Sequence, residues 1–396
     1  MSCASIEAVP RPRDPARLDD RARRLIEGPP RPPRPSRRDG VLVVALVAVA
    51  IGVGLVVGEG GSAPLPSATC ADASAPADRV ADAGFSEGSG LPGRTDIELE
   101  RELAGIAATG ARHLRIDFNW SYIARREGEL DWAATERVVR EAQACGLEVL
   151  GLLTYAPEWA RPPGVGDHYP PTDPDDFADF AAEAVRRFRP LGVRTWEIWN
   201  EPNLAFFWDP APDPAEYADL LVAAYDAIKE VDSNAIVLTG GLARASDEPD
   251  GSSIAPVTFL EGIYAAGGGD HFDAVAHHPY SFPAMPLDAN GDNAFVDVTP
   301  RLHEVMQEHG DGSKEIWGTE MGAPSTGGLS ANFVAEYVTQ AYTGWREWAF
   351  TGPLIWYSYR DAGSDPDEPE DNFGLVRADF TAKEPALSAF KAAVRG

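Results

Sequence analysis

The sequence predicts an α/β protein, a closed (β/α)8 TIM barrel preceded by a disordered tail and one transmembrane helix. Three observations carry this. From about residue 78 onward, short apolar, β-branched runs alternate eight times with helical patterns; no second domain boundary interrupts them; and charged or amide side chains recur where the strands stop. With 396 residues there is room for a barrel, which commonly takes about 250, and for an N-terminal extension.

Residues 1–40 carry ten Arg against six Asp and Glu, are rich in Pro and hold almost no large apolar side chains, so a disordered cytoplasmic tail is expected. Residues 41–58 are uncharged and mostly Val, Ala and Leu, about the shortest run that spans a bilayer. Arg37 and Arg38 ahead of them put the N-terminus in the cytoplasm. The expected topology is therefore a single-pass signal anchor in the cell membrane with the rest of the chain outside; the alternative is cleavage and secretion. Residues 59–77, rich in Gly, Ser, Ala and Pro, read as a flexible linker, and 78–396 as the barrel.

Strand one, 80–85, leads to a helix with Leu99, Leu103 and Ile106 at i, i+4 and i+7, stopped by Gly110. Strand two is 112–118. Asp131 is expected to cap the helix holding Val138, Val139 and Ala142, and 147–154 is the apolar third strand. Asp173-Pro174 opens a helix whose Phe177, Phe180, Ala181, Ala184, Val185 and Phe188 form one core stripe. The fourth strand, 193–199, cannot pass Pro202. Asp213-Pro214 starts the next helix, 235–239 is strand five with Gly240-Gly241 behind it, and 272–277 is strand six. Thr299-Pro300 begins the helix before strand seven, 315–319; Ser330 caps another; 354–357 is strand eight and 384–394 the last helix.

Glu201 ends strand four and Glu320 ends strand seven, at the face of a barrel where chemistry is done. Two such carboxylates about 5 Å apart are what a retaining glycosidase needs, one to protonate the leaving oxygen and one to attack the anomeric carbon. A solvated loop carboxylate is the plain alternative for each. Trp199-Asn200-Glu201-Pro202-Asn203 and Thr319-Glu320 resemble the clan A glycoside hydrolases, nearest to families 39 and 5. The resemblance implies Glu201 as acid/base and Glu320 as nucleophile. It also implies Asn200 on the sugar 2-hydroxyl, His278 as a sugar ligand, Tyr280 as hydrogen-bond donor to the nucleophile, and Trp356 as the aromatic floor under the reacting sugar. The β-sandwich that family 39 xylosidases append is not seen after the eighth helix, which points toward small tethered relatives that cleave biofilm polysaccharides.

For Arg115 two readings stand: beside Glu320, keeping it ionised, or buried against Asp117. Trp159 and Trp208, in the loops after strands three and four, are either subsite walls or loop packing. His277 and His278 face opposite sides of a strand and cannot chelate one metal by adjacency; no metal and no cofactor is expected. A net charge of −28 argues against nucleic acid as a partner. Cys145 reads as a small buried hydrophobe, with pairing to Cys70 as the second reading. The expected activity is endo-cleavage of a β-linked extracellular or cell-envelope polysaccharide. An exo-acting β-xylosidase-like enzyme and a catalytically silent glycan-binding barrel are the alternatives.

Overall fold

The computed structural model describes residues 65, 69–70, 80–326 and 329–395. The expected tail and membrane span, and nearly all of the linker, lie outside them. Among the described residues no helix is long and apolar enough to cross a membrane.

Among the described residues nine strands form one sheet: β1 (Val80–Ser86), β2 (Ala111–Asn119), β3 (Glu148–Thr154), β4 (Thr195–Ile198), β5 (Ile236–Leu238), β6 (Leu242–Ala243), β7 (Ala274–His278), β8 (Glu315–Met321) and β9 (Thr351–Tyr357). Every pairing is parallel, β1 lies between β2 and β9, and the circle closes where β5 and β6 both meet β7. The fifth barrel position is thus two short strands, broken at Gly240-Gly241. A side chain on Gly240 would sit 2.7 Å from the Ile198 and Trp199 carbonyls, and one on Gly241 would run into the His278 ring. These glycines let the ends of β4 and β7 come together.

The helices flank the barrel: α1 (Asp96–Ala108), the single turn α2 (Trp120–Ile123), α3 (Ala133–Ala144), α4 (Pro174–Phe188), α5 (Pro214–Val231), α6 (Pro256–Ala265), α7 (Thr299–Glu308), α8 (Ala331–Arg346) and α9 (Ala386–Ala393). Asp173, Asp213 and Ser330 cap α4, α5 and α8 as their sequence positions demand. At α3 the cap position falls instead on Trp132, while Asp131 still accepts from the Ala133 amide at 3.1 Å. Period-two alternation splits the apolar residues into two layers. Leu150, Leu238, Ala274, Ala276 and Trp317 fill the barrel interior. Phe85 against Phe390, and Phe118 against Phe188 and Trp196, belong to the layer between barrel and helices.

Cys145, just past α3 and 2% exposed, is joined to Cys70 by a disulfide with a Cα–Cα distance of 4.4 Å. The second reading of Cys145 is therefore the one realised. The bond ties the segment before β1 to the barrel, as do Leu65 N to the Phe380 carbonyl (2.9 Å) and an Arg101 donor to the Leu65 carbonyl (2.6 Å).

Candidate active site

Glu201 is delivered by a distorted strand end. After β4 the backbone turns left-handed at Trp199 (φ 69°) and again at Glu201 (φ 45°), a conformation that non-glycine residues hold only under external constraint. The constraint is visible. Tyr217 on α5 donates to the Ile198 carbonyl (2.9 Å) and accepts from Gly240 N (2.6 Å), Glu201 N donates to the Gly241 carbonyl (3.2 Å), and Pro202 follows. Glu320 is delivered by β8, whose register against β9 shifts between Gly318 and Met321.

Both carboxyl side chains are 16% exposed, and one oxygen of each, together with one His278 nitrogen, lie within 4.8 Å of one another. His278 Nδ1 is 2.8 Å from Glu201 Oε1 and 3.9 Å from Glu320 Oε2. Glu320 Oε2 accepts from the Tyr280 hydroxyl at 3.1 Å, and Oε1 accepts from Arg115 Nη1. Burial alone would raise the Glu320 pKa, but His278, Arg115 and the Tyr280 hydrogen bond outweigh it and hold the carboxyl below its ordinary value. For His278 the balance runs the other way: burial opposes protonation, yet Glu320 and Glu201 raise its pKa. These three groups are also close enough to touch one cation.

Arg115 lies beside Glu320, which decides between its two readings, and its main counter-charge is one the sequence reading missed. Glu197, fully buried on β4, accepts from Arg115 Nε (2.7 Å) and Nη2 (3.0 Å), from Gly241 N (2.9 Å) and from the Thr319 hydroxyl (3.2 Å). Arg115 Nη2 also donates to Asn200 Oδ1 at 3.0 Å. Asn200 Nδ2 meets no acceptor among the described residues, so its donor is free for a ligand. His277 packs as expected: its nitrogens contact the Leu242 and Ala294 carbonyls, and burial pushes its pKa down to about 4.

The expectation for Trp356 is corrected, and Trp208 and Trp159, left open between two readings, are found packed in their loops. Trp356 is fully buried in the layer between β9 and α8, its ring 6.1 Å from Tyr337, so it faces the helices and not the site. Its neighbour Tyr357 points inward. Burial raises the Tyr357 pKa first, then Glu370 and Glu320, and its hydroxyl donates to Glu370 Oε2 at 3.4 Å. The acidic loop after β9 thus sends Glu370 to the rim of the site. Trp208 is fully buried, its indole N–H spent on Glu216 (2.9 Å) and its ring against Trp199 and Tyr217. Trp159 donates to the Ala124 carbonyl (2.7 Å) and packs edge-on to Trp120, anchoring its own loop. The rings that do lead outward are Tyr155, then His168 at 4.4 Å, then Phe207 and Phe206 at 5.1 and 5.2 Å from His168. Phe206 is 59% exposed.

No protein-family model matches this chain. A β-xylosidase from Geobacillus stearothermophilus is 36% identical over 89 residues, which cover 21% of this chain and 18% of that one. The fold is shared with a family 39 glycoside hydrolase from Bacteroides cellulosilyticus (TM-score 0.66, 26% identity, 81% of this chain and 64% of that one). It is shared too with a monomeric β-xylosidase from Caulobacter crescentus (0.63, 21%, 81% and 69%) and a GH5_18 protein from Streptomyces cattleya (0.61, 19%, 80% and 80%). The chain therefore resembles the clan A glycoside hydrolases of families 39 and 5, while spanning less than two thirds of the length of the first of these structures and under a fifth of the curated relative.

Proposed function

We propose that this protein is a retaining glycoside hydrolase that cleaves β-glycosidic bonds within an extracellular or cell-envelope polysaccharide. The observation that carries the reading is the pair Glu201 and Glu320, with oxygens within 4.8 Å and unlike surroundings. That spacing suits a nucleophile and an acid/base, and is short for an inverting pair, which must hold a water between carboxyls roughly 6.5–9.5 Å apart. Glu320, held ionised by Arg115, His278 and Tyr280, attacks the anomeric carbon as the glycosidic C–O bond breaks. Glu201 gives its proton to the departing oxygen. A water then attacks the same carbon, passes a proton to Glu201, and the bond to Glu320 breaks. On this reading Asn200 Nδ2, which has no acceptor among the described residues, meets the sugar 2-hydroxyl, Tyr357 takes the part expected of Trp356 as the inward-facing ring beside the pair, and the rings from Tyr155 to Phe206 extend a stacking surface away from it.

NMR of the earliest products from a β-linked polysaccharide reads both halves of the proposal: the new anomeric centre is expected to keep its configuration, on oligomers. Initial inversion would sink the pairing of roles, and monosaccharide alone would make the enzyme exo-acting. The Cys70–Cys145 disulfide suits an oxidising compartment and supports an exported barrel tethered through residues 41–58. Protease added to intact cells should digest the barrel; a barrel protected until the cells are lysed would refute that placement.

A further inference from the structure

We infer that the cavity between the loops after β1 and β2 is a second sugar subsite, which takes one neutral pyranose unit of the chain beyond the unit being cleaved. The inference rests on the glycosidase reading above and adds where the polymer runs. The cavity holds about 710 Å³, within the range of roughly 300–1,000 Å³ typical of small-ligand sites, and neither Glu201 nor Glu320 lines it. Asp117 belongs to both places. Its carboxylate accepts from the Ser89 hydroxyl at the cavity wall and feels Arg115 and Glu320 on the other side.

The lining has the chemistry of a sugar site. Asn119 is 7% exposed; its Oδ1 accepts from Ser121 Oγ (2.8 Å) and Tyr122 N (3.3 Å), and its Nδ2 has no acceptor among the described residues. Its amide donor is thus open to whatever enters the cavity and can be given to a hydroxyl oxygen without breaking a contact within the protein. Tyr122 is 60% exposed, a large ring at the cavity edge with no aromatic neighbour of its own among the described residues. Arg126 is paired to Glu129 at 3.1 Å, whereas Arg125, beside it, has no carboxylate partner among the described residues. Carboxylate acceptors, one amide donor, one free guanidinium fork and one aromatic plate match a pyranose, which offers ringed hydroxyls and an apolar face. A phosphate would meet Asp117, Glu129 and Asp131 in the same cavity, and a metal cation would meet two guanidinium groups. An enzyme that removes single terminal units needs a wall beyond the reacting sugar. Here there is a furnished room.

The test uses the full-length chain with 4-nitrophenyl β-glycosides of xylose, glucose and mannose, and with β-1,4-linked oligomers of these sugars from two to six units. Tyr122→Ala and Arg125→Ala are each expected to lower kcat/KM on oligomers of four or more units about tenfold relative to kcat/KM on the aryl glycoside. Equal losses on both substrates would mean these side chains merely hold a loop, and an unchanged ratio would mean the cavity stays empty; either overturns the inference. Binding decides separately from turnover. By calorimetry, Glu320→Gln should gain affinity from two to four units and lose that gain when Tyr122→Ala is added. Affinity flat with length would overturn the subsite even if the aryl glycosides are hydrolysed, and absent hydrolysis with a length-dependent affinity would strike the catalytic reading alone.

Discussion

The ends of β4 and β8 each present one glutamate, equally exposed, in opposite company. Glu320 receives Arg115 and Tyr280 on its two oxygens and has His278 at 3.9 Å. Glu201 is met on one oxygen by His278, and its strain lies in the backbone, at φ 45°. On the proposed reading, the difference divides the labour. A nucleophile must be a carboxylate at the moment of attack, so positive and donor groups surround it. An acid that later becomes a base must change its proton without rearranging its neighbours, so one oxygen is left open. Arg115 can serve Glu320 because Glu197 balances its charge inside the barrel. Without that partner, a buried guanidinium would be costly.

The largest test of this division is removal of each carboxylate. Glu320→Gln is expected to lower kcat on an aryl glycoside by on the order of 10⁴–10⁶ with the fold retained by circular dichroism, because no covalent step remains. Glu201→Gln should cost less, on the order of 10²–10⁴. Azide should restore turnover to Glu201→Ala as a glycosyl azide of retained configuration and give no such product with Glu320→Ala. An identical azide response in both variants would break the assignment. The smallest expected effect sharpens the comparison. Tyr280→Phe removes a donor that lowers the Glu320 pKa, so Glu320 becomes protonated at a higher pH as acid is added. The acid limb of kcat/KM should therefore move to higher pH. A limb that stays, or moves down, would mean that the Tyr280 hydrogen bond does not stabilise the ionised nucleophile.

Much of this site was legible in the chain because strand ends are marked chemically. Pro202 after Asn200-Glu201, and the glycine pair after strand five, announce breaks in a ladder whatever surrounds them. His277 and His278 were separable because consecutive strand residues face opposite sides. The same rule could not choose between Trp356 and Tyr357. Leu354–Tyr357 is apolar or aromatic throughout, and a strand without polar residues carries no phase, so which ring looks inward depends on its register beside β1 and β8. Glu197 was the readable miss: a carboxylate inside Thr-Trp-Glu-Ile, a strand otherwise fit for burial, signals a buried partner, and Arg115 in Leu-Arg-Ile-Asp was the cation in want of one. Trp159 and Trp208 could not be placed because a loop aromatic looks the same in sequence whether it meets a ligand or a neighbouring helix.

By itself, then, the sequence determined the order of strands and helices, the two glutamates at strand ends and the acidic character of the barrel, all of which follow from local pattern and composition. Tertiary structure alone decided that Arg115 reaches Glu197 and Glu320 at once, that Cys70 meets Cys145, that Tyr357 and not Trp356 faces the pair, and that a cavity opens beside Asp117. The physical reason is common to all four. Each is a contact between segments distant along the chain, whose geometry exists only once the barrel closes and sets the register of one strand against the next.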